Sequence, residues 1–465
     1  MPGLGRSTPF RAELGATLLL AGPLALANML QMAVYSTDVI FVARLGQQAL
    51  AASSLAVALF GIIVWGLQGL TSAVAPLIAA ELGQRRHSVR EIRRSVRMAL
   101  WLAVLGGTGG VGVCLAGESI MLLSGQPPAL AAAAGGFVRL LAIAVIPLVI
   151  GNVLRIFVAA MGRPGVATVV TAMAVVVNAL GNWALIFGHL GMPALGLRGS
   201  ALASIVTSFA MLAAYAVTIL RDRRLRRFHV LGHWWRPELR RLGEVVRLGA
   251  PIGLTVVAEG GLFSGAAFLM GRIGEEELAA HAIALQVAAF FFQLPFGIGQ
   301  AATIRVGYHF GAGDAPAIGR AGRAALVTGL ICSGVSSAAM LFVPRLILSA
   351  YVDSDAPENA ALVALAVRFL LVAAAFQFFD GLQAIAAGSL RGLQDTRVPM
   401  IIAIAGYWLG GFATAAGLGL ATPLGGLGVW IGLAVGLVLV AGLLLSRWGR
   451  RARLRLLPRA GPSSR

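Results

Sequence analysis

No lysine occurs anywhere in the chain, so all 37 basic side chains are arginine. A Walker-type phosphate loop needs its lysine, and ATP hydrolysis by that route is therefore excluded. Cysteine is nearly as scarce. Cys114 and Cys332 lie far apart in apolar runs, which gives neither a disulfide framework nor a thiolate metal spacing; both are expected to be free and inert. No His/Cys/carboxylate grouping with metal-ligand spacing is present either. Charge is the third shortage. Only 12% of the 465 residues are charged and 58% are hydrophobic, whereas soluble domains carry about 25% charged residues. A water-soluble fold could not cover that much apolar surface, because surface grows too fast relative to volume. A bilayer removes the difficulty by acting as the apolar solvent.

The residues present fit that solvent. Sixty glycines would weaken soluble helices by roughly 1 kcal/mol each relative to alanine, but in membrane helices glycine allows close backbone approach. The formal charge of +19 comes from short arginine clusters between apolar runs, so nucleic-acid binding is not expected. Arginine without lysine, beside abundant alanine and glycine, points to a high-GC bacterial genome.

A hydrocarbon core of ~30 Å takes about 20 apolar residues per helix. Twelve segments qualify: 14–38, 49–78, 98–117, 130–153, 165–187, 198–219, 246–270, 279–302, 322–344, 360–387, 399–419 and 424–446. Arg6 and Arg11 precede an apolar run containing Ala25-Leu26-Ala27, a pattern that resembles a signal-peptidase site. The run continues to Val34 and reads as an uncleaved first span.

Arginine between the spans sets the orientation. With the N-terminus inside, the inner segments hold 31 arginines and the outer connections four, Arg44, Arg198, Arg272 and Arg345. The inner set includes Arg85, Arg86, Arg90, Arg93, Arg94, Arg97, Arg155, Arg163, Arg305, Arg320, Arg323, Arg391 and Arg397, nine arginines from Arg221 to Arg247, and seven from Arg447 to Arg465. Acids gather outside, at Glu275-Glu276-Glu277 and at Asp353, Asp355 and Glu358. Both termini are thus expected in the cytoplasm. The basic stretch from Arg221 to Arg247 reads chiefly as a topology signal and linker, with anionic lipid headgroups as an alternative ligand.

The chain repeats at an offset of about 228 residues. Arg44-Leu-Gly-Gln-Gln-Ala-Leu-Ala-Ala matches Arg272-Ile-Gly-Glu-Glu-Glu-Leu-Ala-Ala, and Leu82-Gly83 matches Phe310-Gly311. One residue out of that register, Arg139 matches Arg368 and Gly199 matches Gly428. Each half starts and ends inside, so the expected fold is an all-α integral membrane protein of 12 transmembrane helices in two parallel six-helix repeats. The expected domains are an N-terminal lobe (1–220), a basic cytoplasmic linker (221–245), a C-terminal lobe (246–446) and a basic tail (447–465). Parallel repeats of this kind place substrate near midplane and rock about a shared cavity.

Three carboxylates fall within or near the apolar spans, where a translocon scale puts Asp at about +2.5 to +3.5 kcal/mol at a helix centre. Such residues are functional by default, the alternative being an interhelical hydrogen bond. Glu259 stands mid-span with no basic residue within pairing distance on its own helix. A carboxyl removed from water holds its proton more readily, which suits proton exchange. Asp380 shares a helix face with Gln377 and Gln383, three residues either side, as a wet cavity wall would require. Asp38 lies late in the first span, and Asn178 and Asn182 make an i, i+4 pair that could form a second polar pocket. Gln286 and Gln293, seven apart, are further cavity candidates. Arg139 and Arg368, near outer span ends, read as structural and snorkelling. Pro251 and Pro295 could loosen their helices, and His281 is given no role.

Tyr35-Ser-Thr-Asp38, Pro251-Ile-Gly with Glu259, Met161-Gly-Arg-Pro, and Asp380-Gly-Leu-Gln with Gly388-Ser-Leu-Arg-Gly-Leu-Gln-Asp395-Thr together resemble the multidrug and toxic compound extrusion (MATE) family over roughly residues 10–446. The presence of both Glu259 and Asp380 resembles its NorM-type branch. The resemblance implies no enzyme and no cofactor, but H⁺- or Na⁺-coupled export of drugs or toxic organic cations across the bacterial inner membrane. It implies a second-half cation site at Glu259 and Asp380, the only place where a metal ion, Na⁺, is expected. It implies a first-half site at Asp38, Asn178 and Asn182, and a monomer is expected to suffice. In Na⁺-coupled relatives a tyrosine can stand where this chain has Phe376. Losing that oxygen disfavours a hard cation, although a phenyl face attracts cations; H⁺ is favoured over Na⁺. The alternatives are a flippase for a lipid-linked intermediate, against which the acidic and amide cavity candidates argue, and a non-transporting scaffold or enzyme.

Overall fold

The computed structural model describes residues 9–84, 88–232, 237–352 and 356–458. Arg6, Arg85, Arg86, Arg236, Asp353, Asp355, Arg459, Arg465 and the side chain of Glu358 lie outside the described residues. Twelve helices are long and apolar enough to cross a membrane. They are α1 (Phe10–Ala43), α2 (Gln47–Gln84), α3 (Val89–Leu115), α4 (Pro128–Ala160), α5 (Pro164–Phe187) and α6 (Leu197–Arg221), then α7 (Leu239–Ile273), α8 (Glu275–Gly311), α9 (Ala315–Phe342), α10 (Ala360–Gly392), α11 (Arg397–Ala421) and α12 (Gly426–Gly449). A turn at Ser72 and Ala73 interrupts α2, and a π-helical turn, Gly406–Phe412, interrupts α11. Large apolar side chains such as Leu19, Val169, Ile331 and Leu409 stay exposed, as a lipid-facing surface requires.

Each expected span is present, but several helices run past it at their arginine-bearing ends. Arg90, Arg93, Arg94, Arg97, Arg155, Arg240, Arg241, Arg305, Arg320 and Arg391, expected between spans, lie inside helices. Apolar length measures only the hydrocarbon-spanning part. Arginine is a good helix former, so the helix continues beyond the bilayer core.

The chain divides into two compact units, one of Met1–Leu26 with Thr255–Arg465 and one of Ala27–Leu254. Helices α1 and α7 are therefore each shared between units, which contiguous lobes at 1–220 and 246–446 do not anticipate. The described part of the expected linker includes a short helix. Asp222 caps the short helix Arg223–Arg226 by accepting from Arg224 N at 2.8 Å, and Leu225, Phe228 and Val230 are buried beneath exposed arginines.

In the first unit, α8 and α10 cross at their glycines. A Cβ on Gly388 would lie 2.2 Å from Gly299 O, and Thr303 Oγ1 donates to Gly388 O at 2.9 Å. The core nearby is aromatic, with Phe369 and Phe376 both stacked on Trp430. Glu13 of α1 is buried against α8, where Arg305 Nε and Nη2 donate to its two oxygens at 2.8 and 2.6 Å and His309 Nε2 lies 3.4 Å away. In the second unit, Arg241 of α7 forms an ion pair with Glu81 of α2, and Ser95 of α3 joins both. Glu13 and Arg241 occupy matching repeat positions, as do Glu81 and His309 (241 − 13 and 309 − 81 are both 228). The same junction is thus built twice with its charges reversed.

Candidate functional site

Each unit brings some of the candidate residues together. In the second unit, residues of α1, α5 and α6 converge on Asp38. Its Oδ1 accepts from Asn178 Nδ2 at 2.9 Å and from Asn182 Nδ2 at 2.7 Å, and its Oδ2 accepts from Ser204 Oγ at 3.0 Å. Both asparagines are fully buried. The i, i+4 spacing points them to one side of α5, and the two amides are also joined, Asn182 Nδ2 to Asn178 Oδ1 at 3.2 Å. Ser204 was not found from the sequence. A lone serine in an apolar helix carries no signal, because it ordinarily bonds its own backbone.

In the first unit, α7, α9, α10 and α11 contribute. Gln377, Asp380 and Gln383 are all buried on the shared face of α10. Gln383 Nε2 donates to Tyr407 Oη. Among the described residues, Asp380 Oδ1, Gln383 Oε1, Ser333 Oγ and both amide atoms of Gln377 are buried without a hydrogen-bond partner. Ser333 sits against this face, since a Cβ on Gly381 would fall 2.1 Å from its Oγ. Glu259 lies on α7, half-buried, within electrostatic reach of Asp380, Arg391 and Tyr407. Neither Glu259 nor Asp380 makes an ion pair among the described residues. Tyr407, Arg391 and Ser333 were all missed as site residues. Tyr407 depends on the π-helical turn of α11, and Arg391 lies inside α10 rather than in a connection.

The MatE family model matches residues 23–184 and 251–416, segments that contain Asp38, Asn178, Asn182, Glu259, Asp380 and Tyr407. The chain belongs to the MatE family. The "Probable multidrug resistance protein NorM" of Mesorhizobium japonicum is 46% identical over 448 residues, covering 96% of this chain and 95% of that protein. The protein of the same name from Brucella suis is 42% identical over 449 residues, covering 97% and 95%. A solved structure described as the outward-facing conformation of a multidrug resistance MATE family transporter of the MOP superfamily superposes with a TM-score of 0.83 at 19% identity, covering 96% of each chain. The fold is thus that of the MATE transporters. The chain is a multi-pass membrane transporter, not an enzyme.

The remaining candidates are dispersed. Phe376 is buried with its ring stacked on Trp430 at 5.4 Å, so it is a core residue of this MatE chain. Gln286 is exposed, and Gln293 Nε2 donates to Ala289 O of its own helix at 3.1 Å. His281, given no role from the sequence, is buried edge-on to Trp430, and neither of its nitrogens has a partner among the described residues. The repeat-matched arginines differ: Arg139 forms an ion pair with Glu118, whereas Arg368 is exposed with no ion pair among the described residues. The family-like motifs after α4 and α10 end in ion pairs, Arg163 to Asp222 at 3.0 Å and Arg447 Nε to Asp395 at 2.6 Å.

Proposed function

We propose that this protein is a cation-coupled multidrug efflux antiporter of the bacterial inner membrane, with both termini in the cytoplasm. The observation that carries the reading is the unsatisfied set around Asp380. Buried polar atoms are nearly always hydrogen-bonded, and five without partners beside a second carboxylate call for a visiting ligand. Glu259 and Asp380 take the coupling cation, with Ser333, Gln377, Gln383 and Tyr407 as neighbouring oxygen donors. Asp38, Asn178 and Asn182 form the first-half site. The cation enters from outside, neutralises the acids and displaces a cationic amphiphile. Reorientation then returns the acids to the cytoplasmic side to reload drug. Exchange is obligatory because cation and drug compete for the same negative charge. Arg391, within reach of Glu259, already supplies a fixed positive charge, and Phe376 offers no oxygen; both favour H⁺ over Na⁺.

The relatives named for multidrug resistance support the substrate class. The flippase alternative is not favoured by the centre in the first unit, which is built around two acids. The test is ethidium efflux from energised vesicles with H⁺ and Na⁺ gradients imposed separately. Glu259→Gln and Asp380→Asn are expected to abolish gradient-driven efflux while the protein still inserts. Wild-type efflux rates in both variants would refute the assignment.

A further inference from the structure

Arg155 of the second unit is a partly buried cation with no ion pair among the described residues. Arg155 lies five residues before the end of α4, half-buried, about 7–8 Å inside the helix end at 1.5 Å per residue. It forms no ion pair among the described residues, and its one hydrogen bond runs from Nη2 to Asn28 Oδ1 on α1. The segment 27–43 of α1, together with α4, α5 and α6, contains a single carboxylate, Asp38. That residue is ten positions from Asn28, ~15 Å along the helix, and already accepts three hydrogen bonds.

The groups around Arg155 are donors. Guanidinium has no acceptor, so the amide oxygen of Asn28 must face it and the amide nitrogen must point elsewhere. Asn28 Nδ2 is buried with no partner among the described residues, and so is the hydroxyl of Tyr215 on α6. Tyr215 is within electrostatic reach of the guanidinium. Thr171 of α5 lies beside that hydroxyl, but its own hydrogen goes to Ala167 O at 2.8 Å. Among the described residues the cluster therefore presents a forked cation, an unpartnered amide N–H and a phenol beside Thr171, with no anion of its own.

We propose that Arg155, Asn28 and Tyr215 form an oxyanion-binding site, separate from the carboxylate centres, for the carboxylate or phosphate group of an organic anion or of a lipid headgroup. The planar fork of arginine matches either group through two parallel hydrogen bonds, and the two neutral donors take the remaining lone pairs. Arg155 itself is only partly buried. The site concerns binding alone and does not depend on which ion drives transport.

The test uses the purified full-length protein. Titration calorimetry compares benzoate with benzamide in a phosphate-free detergent, and native mass spectrometry counts phosphatidylglycerol retained from mixed micelles. If the oxyanion is a free organic anion, benzoate binds and benzamide does not. Arg155→Gln then weakens benzoate at least about tenfold and Tyr215→Phe about threefold. If it is a lipid phosphate, benzoate is silent and Arg155→Gln releases one retained phosphatidylglycerol. Arg155→Lys, which keeps the charge but not the fork, is expected to fall between wild type and Gln. Should Arg155→Gln fail to fold, Tyr215→Phe and Arg155→Lys carry the comparison. The proposal is overturned if the folded variants bind benzoate and phosphatidylglycerol as wild type does, or if wild type binds neither. Ethidium carries no oxyanion, and its efflux is expected to be unchanged in Arg155→Gln; this keeps the outcome distinct from the antiport test.

Discussion

At Asp38 every carboxylate oxygen has a donor, whereas at Asp380 one oxygen and its neighbouring amides have none. The Asp38 centre finds its donors within the protein, whereas the Asp380 centre leaves polar atoms for the proposed cation to meet. Removing a donor should therefore have different effects at the two. Ser204→Ala deprives Asp38 Oδ2 of its one donor among the described residues. It is expected to cost about 1.5–3 kcal/mol, in the range of hydrogen bonds to charged groups, with efflux retained; thermal unfolding of the purified protein checks this. Tyr407→Phe removes the phenol that receives Gln383 and takes an oxygen from the proposed cation site. Its expected effect is on coupling, with a higher driving-ion concentration needed for half-maximal ethidium efflux and little change in thermal unfolding. Equal ion dependence in mutant and wild type would remove Tyr407 from the site.

Among the elements, the α8–α10 crossing tolerates little added volume. Gly388→Val would place side-chain carbons against the backbone of Gly299, where overpacking typically costs 1–3 kcal/mol. Size-exclusion chromatography after heating is expected to show early aggregation for Gly388→Val and a milder loss for Gly388→Ala. Helix number and approximate span positions were legible in the sequence because apolar length and arginine clustering are strong signals. Asp380 with Gln377 and Gln383 was legible because three polar residues on one face of an apolar helix leave few readings. Asn178 and Asn182 followed from i, i+4 spacing. Ser204, Ser333 and Tyr407 were not legible, because each is a single polar residue whose partner lies on another helix. Arg155 and Arg305 were misplaced into connections for a different reason: apolar counting stops where a helix begins to carry charge, although the helix continues.

For the whole molecule, the pairing of α1 with α8 and of α7 with α2 is written in charge. If α1 packed at the equivalent place in its own half, Glu13 would meet Glu81; if α7 did so, Arg241 would approach Arg305 and His309. Like charges in such a place are strongly unfavourable, and breaking a buried pair costs about 3–5 kcal/mol. Glu13→Arg is therefore expected to reduce the yield of folded protein sharply. Glu13→Arg combined with Arg305→Glu should recover much of it, as read by monodisperse yield and melting temperature. No recovery in the double variant would mean that the pair does not act through charge.

The reversed junctions also bear on the order of events during synthesis. Arg305 follows Glu13 by 292 residues, and at roughly 5–20 residues per second a ribosome needs about 15–60 s to deliver it. Through that interval Glu13 has no basic partner on α8, whereas Glu81, made later, gains its own partner Arg241 before Arg305 is reached. Of the two junctions, the one begun first along the chain is thus the last to be completed.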